Sequence, residues 1–276
     1  MAFVPDGRVL ASSDHKNIYL WDPTEGRVTK KLSVYYAYVQ CLSLSLDGQL
    51  LASGSSDGTV RVWNLTTDQE SIVLKGNGKR MFTVSFSPDG RLLTSSYSDG
   101  KIRLWDLSEG ALQKETSIGF DNILLCALFL GENLIAVSTF HSQLQVRHII
   151  TGEVKWIQEQ YGAWTLSITS DGRWLSTGSE DKNTKIWDSK NGELRQTLND
   201  HFHVVWDKDD VMLSVYRGQW LCINGGKKLW IPGEYRPTCL AVANGIIAIG
   251  HEAGVFFIAL KDIEKLLSRY LRPRRL

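Results

Sequence analysis

Ser or Thr followed by Asp recurs in this 276-residue chain at Ser53 and Asp57, Ser95 and Asp99, and Thr177 and Asp181. Beside six histidines (His15, His141, His148, His201, His203 and His251), such sets invite a hydrolase reading, in which a base activates a hydroxyl nucleophile. The repetition argues against it. Catalysis needs one activated nucleophile beside one base, whereas these sets recur without a His of their own, so the chain is expected not to be an enzyme. His201 and His203 alternate on a strand pattern and so share a face, but no Cys or carboxylate completes a metal site, and no metal is expected. "INGGKKLW" lacks the GxxxxGK[ST] spacing of a phosphate loop and reads as a hairpin turn at Gly225-Gly226; no cofactor is expected. Cys41, Cys126, Cys222 and Cys239 lie far apart in apolar runs and read as buried, reduced thiols of an intracellular protein.

The net charge of +1 argues against broad affinity for nucleic acid, which depends on many phosphate contacts. Residues 261–276 hold six basic side chains against Asp262 and Glu264, a local +4 that leaves the remaining body at −3. No apolar run approaches the roughly 20 residues that span a bilayer. Cytoplasm, with the nucleus as a second site, is the expected location.

The elements that must carry these residues come from a repeat. Trp21, Trp63 and Trp105 stand 42 residues apart in "IYLWD", "VRVWN" and "IRLWD". The same step reaches Arg147 in "LQVRH", where Trp has been lost, and a step of 40 reaches Trp187 in "TKIWD". Two eroded units follow, with Ile223 and Ala259 assigned to the Trp position. Within a unit, an apolar alternation such as "FTVSF" ends at the turn "SPDG", "RLLTSS" ends at "SDG", and "KIRLW" leads to a polar connection and an outer strand. Short strands at this spacing, punctuated by Asp and Gly, predict an all-β repeat whose sheets cover one another. Units are expected to end near 24, 66, 108, 150, 190, 226 and 260.

"SPDGRLLTSSYSDGKIRLWD" resembles a WD-repeat unit, and seven units imply a seven-bladed β-propeller over residues 1–260. The match is strongest in units 1, 2, 3 and 5. The regular units are also similar to propellers attached to nucleotide-binding signalling ATPases, including those of filamentous fungi. The resemblance implies a network joining a Trp on the third strand, a Ser/Thr on the second, an Asp in the turn between and a His before the first. These are Ser53, Asp57 and Trp63; Ser95, Asp99 and Trp105; and Thr177, Asp181 and Trp187. In unit 1, Ser12 and Trp21 match but His15 falls where Asp is expected. Gly76-Asn77 stands in the His position before unit 3, and Asp200-His201 before unit 6 is nearest the family's form.

The resemblance also implies a partner-binding upper face, formed where first strands begin and by the turn after each second strand. Position by position this selects Tyr38, Gln40, Arg80, Phe82, Leu124, Trp164, Phe202, Arg236 and Thr238, and in the turns Ser56, Ser98, Glu180, Arg217 and Glu252. Tyr, Trp, Phe and Arg are the types enriched at binding hot spots. The expected function is a non-enzymatic scaffold for protein or peptide partners. The alternative is the sensor or autoinhibitory portion of a larger nucleotide-binding signalling ATPase. In 261–276, Ile263, Leu266, Leu267, Tyr270 and Leu271 fall at helical spacing, predicting a short amphipathic basic helix. Aligned with "VSFSPDG", the opening "MAFVPDG" keeps only the end of a first strand. An incomplete first blade and an unusual seam between units 1 and 7 are therefore expected.

Overall fold

In a computed structural model, the third unit folds as Met81–Phe86, Leu92–Tyr97, Lys101–Asp106 and Ala111–Ser117, four strands in consecutive antiparallel order. The structure describes all residues except 4–5, 15, 34–37, 68, 118–123, 141–142, 161, 170, 180, 208–210, 218–219, 225, 232–238, 252–253 and 260–276. At 69–71, 202–204, 226–228, 239, 251, 254 and 256 it describes the backbone alone.

The turn chemistry explains why strands stop where they do. The Ser87 hydroxyl donates to Asp89 at 2.5 Å and accepts the Leu92 N–H at 2.9 Å, closing the turn between the first two strands. Ser45 with Asp47 and Thr169 with Asp171 repeat the device at 2.6 Å in each case. An Asx- or ST-type bond satisfies backbone groups that the ladder abandons at its end. The two central strands are held in register by opposed anchors, Leu51 against Trp63, Leu93 against Trp105 and Leu175 against Trp187.

Seven such sheets occur among the described residues, six of four strands and one of three, with no helix. Period-2 alternation lets one strand serve two interfaces. In the second blade Leu51 and Trp63 pack against Ile18 and Leu20 of the first, whereas Ala52 and Val62 pack against Met81 and Phe86 of the third. The sheets thus stack around a ring: an all-β, seven-bladed propeller, as the repeat implies.

The first blade is incomplete, as expected. In the first blade the inner strand is only Ala2–Phe3, and the seventh blade has three described strands, Cys239–Ala243, Ile246–His251 and Gly254–Ala259. Among the described residues, ten buried side chains join blades 2 and 3, whereas Leu10, Ala241 and Ala248 are the buried ones at the seam, backed by half-buried Phe3, Trp21 and Phe257 among others. Trp21 meets Phe257 edge-on at 6.0 Å between ring centroids. Gly7 has φ of 73°, and a Cβ there would stand 2.8 Å from the Asn244 Cβ, so the turn of blade 1 lies directly on that of blade 7. The predicted basic helix at 261–276 lies outside the described residues.

One register assignment is corrected. Ile247 pairs with Ile258, so Ile258 rather than Ala259 holds the Trp position of the seventh unit. The step from second-strand anchor to third-strand partner is 11 residues here, against 12 from Leu51 to Trp63. Blade 1 has the same shorter hairpin, Leu10 opposite Trp21. That moves its turn acid from His15, outside the described residues, to Asp14, whose carboxylate accepts from the backbone of Lys16 and Asn17 and from the Tyr19 hydroxyl.

Candidate partner-binding surface

Of the network implied for the blade interiors, the link from Trp to the second-strand hydroxyl is present where its residues are, whereas the turn Asp bonds within its own turn and to neighbouring side chains rather than to that hydroxyl. The Trp indole N–H donates to the second-strand hydroxyl in four blades: Trp21 to Ser12 at 2.8 Å, Trp63 to Ser53 at 3.1 Å, Trp105 to Ser95 at 2.7 Å and Trp187 to Thr177 at 3.0 Å. In the other three blades both partners are lost together. The pair becomes Val137 with Arg147, Val215 with Ile223, and Ile249 with Ile258, as the strand registers show. Removing one member would leave a buried polar group unpaired, whereas replacing both escapes that penalty.

Asp57 accepts the Thr59 N–H at 2.9 Å, and Asp181 accepts from the Ser179 hydroxyl at 2.5 Å and the Asn183 N–H at 2.9 Å. Asp99 is bound most heavily, by Asn77 Nδ2 at 2.6 Å, the Lys101 N–H at 3.1 Å and the Arg103 guanidinium at 3.3 Å. Burial alone would raise the Asp99 pKa, but these donors outweigh it and hold the carboxyl below its ordinary 3.8. Asn77 thus serves in the place of the family's His. In blade 5 a residue missed in the sequence does so: buried Gln160 accepts the Thr177 hydroxyl through Oε1 at 2.8 Å. These carboxylates and hydroxyls are tied to turns and indoles.

His201 is buried, its Nδ1 2.8 Å from the Ser214 hydroxyl and its ring against Tyr216. The His203 side chain lies outside the described residues. Burial pushes the Cys41 thiol up to about 12 and the Cys126 thiol to about 11. Such thiols are poor nucleophiles at neutral pH. The hairpin read at "NGGKK" is formed, Ile223 standing opposite Gly226.

The upper rim is built where inner strands begin. The Ser56 N–H donates to Tyr38 O at 2.9 Å, that of Ser98 to Arg80 O at 2.8 Å and that of Arg217 to Asp200 O at 2.9 Å, so each turn is tied beside a strand start. Tyr38 is 52% exposed and Trp164 48%, large values for aromatics. Arg80 is exposed, donates to Gln40 Oε1 at 3.3 Å across the blade boundary, and lies 5.8 Å from the Phe82 ring centroid. Tyr38, Gln40, Arg80 and Phe82 thus occupy the adjoining rims of blades 2 and 3. Trp164 instead meets Phe140 edge-on at 6.2 Å, and Arg217 is held by Asp200 at 2.9 Å. Phe140 was missed, although it holds the same turn position in unit 4 as Ser56 does in unit 2. Leu124 is corrected: it is fully buried between blades 3 and 4 and is no contact residue. The Phe202 side chain, Glu180, Arg236, Thr238 and Glu252 lie outside the described residues.

At the opposite end of the ring axis, the ends of the inner strands surround a recess of about 560 Å³. Its wall includes Phe3, Phe86, Phe129, Ile168, Trp206 and Val242, and exposed Leu46 stands at it. Every blade contributes, so no single stretch of sequence announces it.

A ring of seven antiparallel sheets, with indole–hydroxyl pairs inside the blades and aromatic and cationic side chains on its rim, defines a repeat propeller. The WD domain, G-beta repeat family matches residues 1–22, 26–64, 69–106 and 148–188, just over half the chain, and the chain belongs to that family. The WD repeat-containing protein SL1-17 of Schistosoma mansoni is 27% identical over 190 residues, 68% of this chain and 49% of that protein. The Protein ROOT INITIATION DEFECTIVE 3 of Arabidopsis thaliana is 49% identical over 49 residues, 18% of this chain and 11% of that protein. The small ribosomal subunit protein RACK1y of Oryza sativa subsp. japonica is 34% identical over 58 residues, 21% of this chain and 17% of that protein. The aligned stretches thus span half or less of these curated relatives.

Proposed function

We propose that this protein is a non-enzymatic scaffold that docks protein or peptide partners on the upper rim of its propeller. The observation that carries this reading is the set of exposed aromatics, Tyr38 and Trp164, on the same rim as exposed Arg80. Such side chains offer large contact area at low entropic cost, and they would be desolvated only on binding. Membership of a larger complex is supported by relatives named as a pre-mRNA-splicing factor and a small ribosomal subunit protein. An intracellular site of action, cytoplasmic or nuclear, accords with the enclosed Cys41 and Cys126 thiols.

The test is Tyr38→Ala, Arg80→Ala and Trp164→Ala combined, compared with the native chain for captured partners at matched thermal stability. Loss of partners supports the rim; an unchanged partner set removes it and redirects attention to the apolar recess. The regular first three units also support a second reading, a sensor propeller of a larger nucleotide-binding signalling ATPase. An ATPase domain read in frame with this chain at its gene would support that reading, and a gene without one would end it.

A further inference from the structure

The recess at the end of the ring axis opposite the rim is left unused by partner docking on that rim. Its volume of about 560 Å³ is that of a binding pocket rather than a packing defect. Leu46, 57% exposed, and exposed Pro88 stand at it beside Phe86, Phe129, Ile168 and Trp206. Among the described residues that line it, the charged side chains are Asp171 and Asp207, with no Lys, Arg or His. Both are fixed at the wall: Asp171 accepts from the Thr169 hydroxyl at 2.6 Å, and Asp207 accepts the Gly245 N–H at 2.8 Å. An apolar hollow of this size is a surface that something covers, and its charge favours a cationic occupant over an anionic one.

The chain itself carries such an occupant at the same end of the ring. Ala243 lines the recess, pairs with Ile246, and Ile246 pairs in turn with Ala259. Neighbouring strands lie about 4.8 Å apart, so the third strand of blade 7 ends about 10 Å from the recess wall. Residues 260–276 follow from there, outside the described residues. The step from Ala259 to Ile263 spans about 13 Å when extended, enough to bring the apolar stripe to the recess. On a helix about 14 Å long, Ile263, Leu266, Leu267, Tyr270 and Leu271 share one side. Lys265, Arg269 and Arg272 fall on the opposite side, and Arg274 and Arg275 follow Pro273, so seating the stripe buries no cation. The spacing is not the period-2 alternation that a fourth strand of blade 7 requires. The local +4 of this segment also complements a body of −3 and a recess whose described charges are carboxylates.

We propose that residues 261–276 fold back over the recess as an amphipathic helix, seating the stripe from Ile263 to Leu271 in it and closing that end of the ring axis. The upper rim is then the open face of the disc, and the closure stands whether or not the rim binds partners. The experiment uses the full chain. A photoreactive phenylalanine analogue in place of Leu267 is expected to crosslink within its own molecule to the inner-strand ends around Leu46, Phe86 or Phe129, as mapped by peptide mass spectrometry. Crosslinks to Gly254–Ala259 alone, to a second molecule, or to nothing overturn the proposal. Leu266→Asp combined with Leu267→Asp gives an independent reading. That variant is expected to gain Nile red fluorescence over the native chain while it still unfolds cooperatively, and equal fluorescence overturns the proposal. Should the double variant lose cooperative unfolding, the crosslink decides alone.

Discussion

Blade 3 contains two arginines beside aromatic rings, and they have opposite fates. Arg103 lies 4.2 Å from the Tyr97 ring centroid, is 3% exposed, and is paired with both Asp99 and Glu115. Arg80 lies 5.8 Å from the Phe82 centroid, is exposed, and has Gln40 as its bonded neighbour. The same residue classes thus serve the scaffold in one place and remain available to a partner in the other. What separates them is desolvation. A buried charge must be fully matched by its own chain, whereas a rim charge contributes little to stability until something covers it.

The sharpest way to break this contrast is Arg103→Ala, which leaves Asp99 and Glu115 without their shared cation. A loss of about 3 kcal/mol is expected by denaturant unfolding, discounted from the fully buried case because Glu115 is partly exposed. A neutral result would make Arg103 no more structural than Arg80. Next is Thr177→Val, a near-isosteric change that deprives both Trp187 and Gln160 of a partner. It should cost about 1–3 kcal/mol, and Trp187→Phe added to it should cost less than the two changes summed. Strict additivity would mean that the pair is not the unit lost in blades 4, 6 and 7.

A smaller effect is expected from pH. Desolvation raises Asp99 and Asp181, but their hydrogen bonds prevail, and Asp89 is lowered first by the Ser87 hydroxyl; all three lie below the ordinary 3.8. Because the unfolded chain binds these protons more readily, their stabilisation is complete above about pH 5 and is lost as pH falls through and below about 4. Thermal midpoints measured from pH 6 to pH 3 should fall, and Asp99→Asn should flatten part of the fall. The smallest change expected is in the stability of Arg80→Ala, within about 0.5 kcal/mol of the native chain.

The sequence made the fold readable because each blade repeats the same solution, an apolar alternation closed by an Asp-Gly turn and anchored by Trp. It misled where a hairpin lost one residue: Asp14 was passed over for His15, and Ile258 for Ala259, because counting from Trp assumes a constant loop. Asn77 already stood in the His position by alignment, but Gln160 was harder to see as a replacement for His, since the role belongs to a position in space and any side chain of suitable reach fills it. The rim was legible in type but not in arrangement. Nothing local in the sequence says that Arg80 reaches Gln40 while Trp164 meets Phe140. The recess was illegible for the same reason, between one and four residues arriving from each of seven units.

Partner docking on the upper rim is tested most directly by photocrosslinking from defined positions on a folded chain. A photoreactive phenylalanine analogue at Tyr38 or Trp164 is predicted to capture the same partner, and one at exposed Val73 on an outer strand is predicted to capture none. That capture should vanish with Arg80→Ala while the thermal midpoint stays in place. Equal crosslinking from Val73, or capture from Tyr38 that is indifferent to Arg80, would contradict the account.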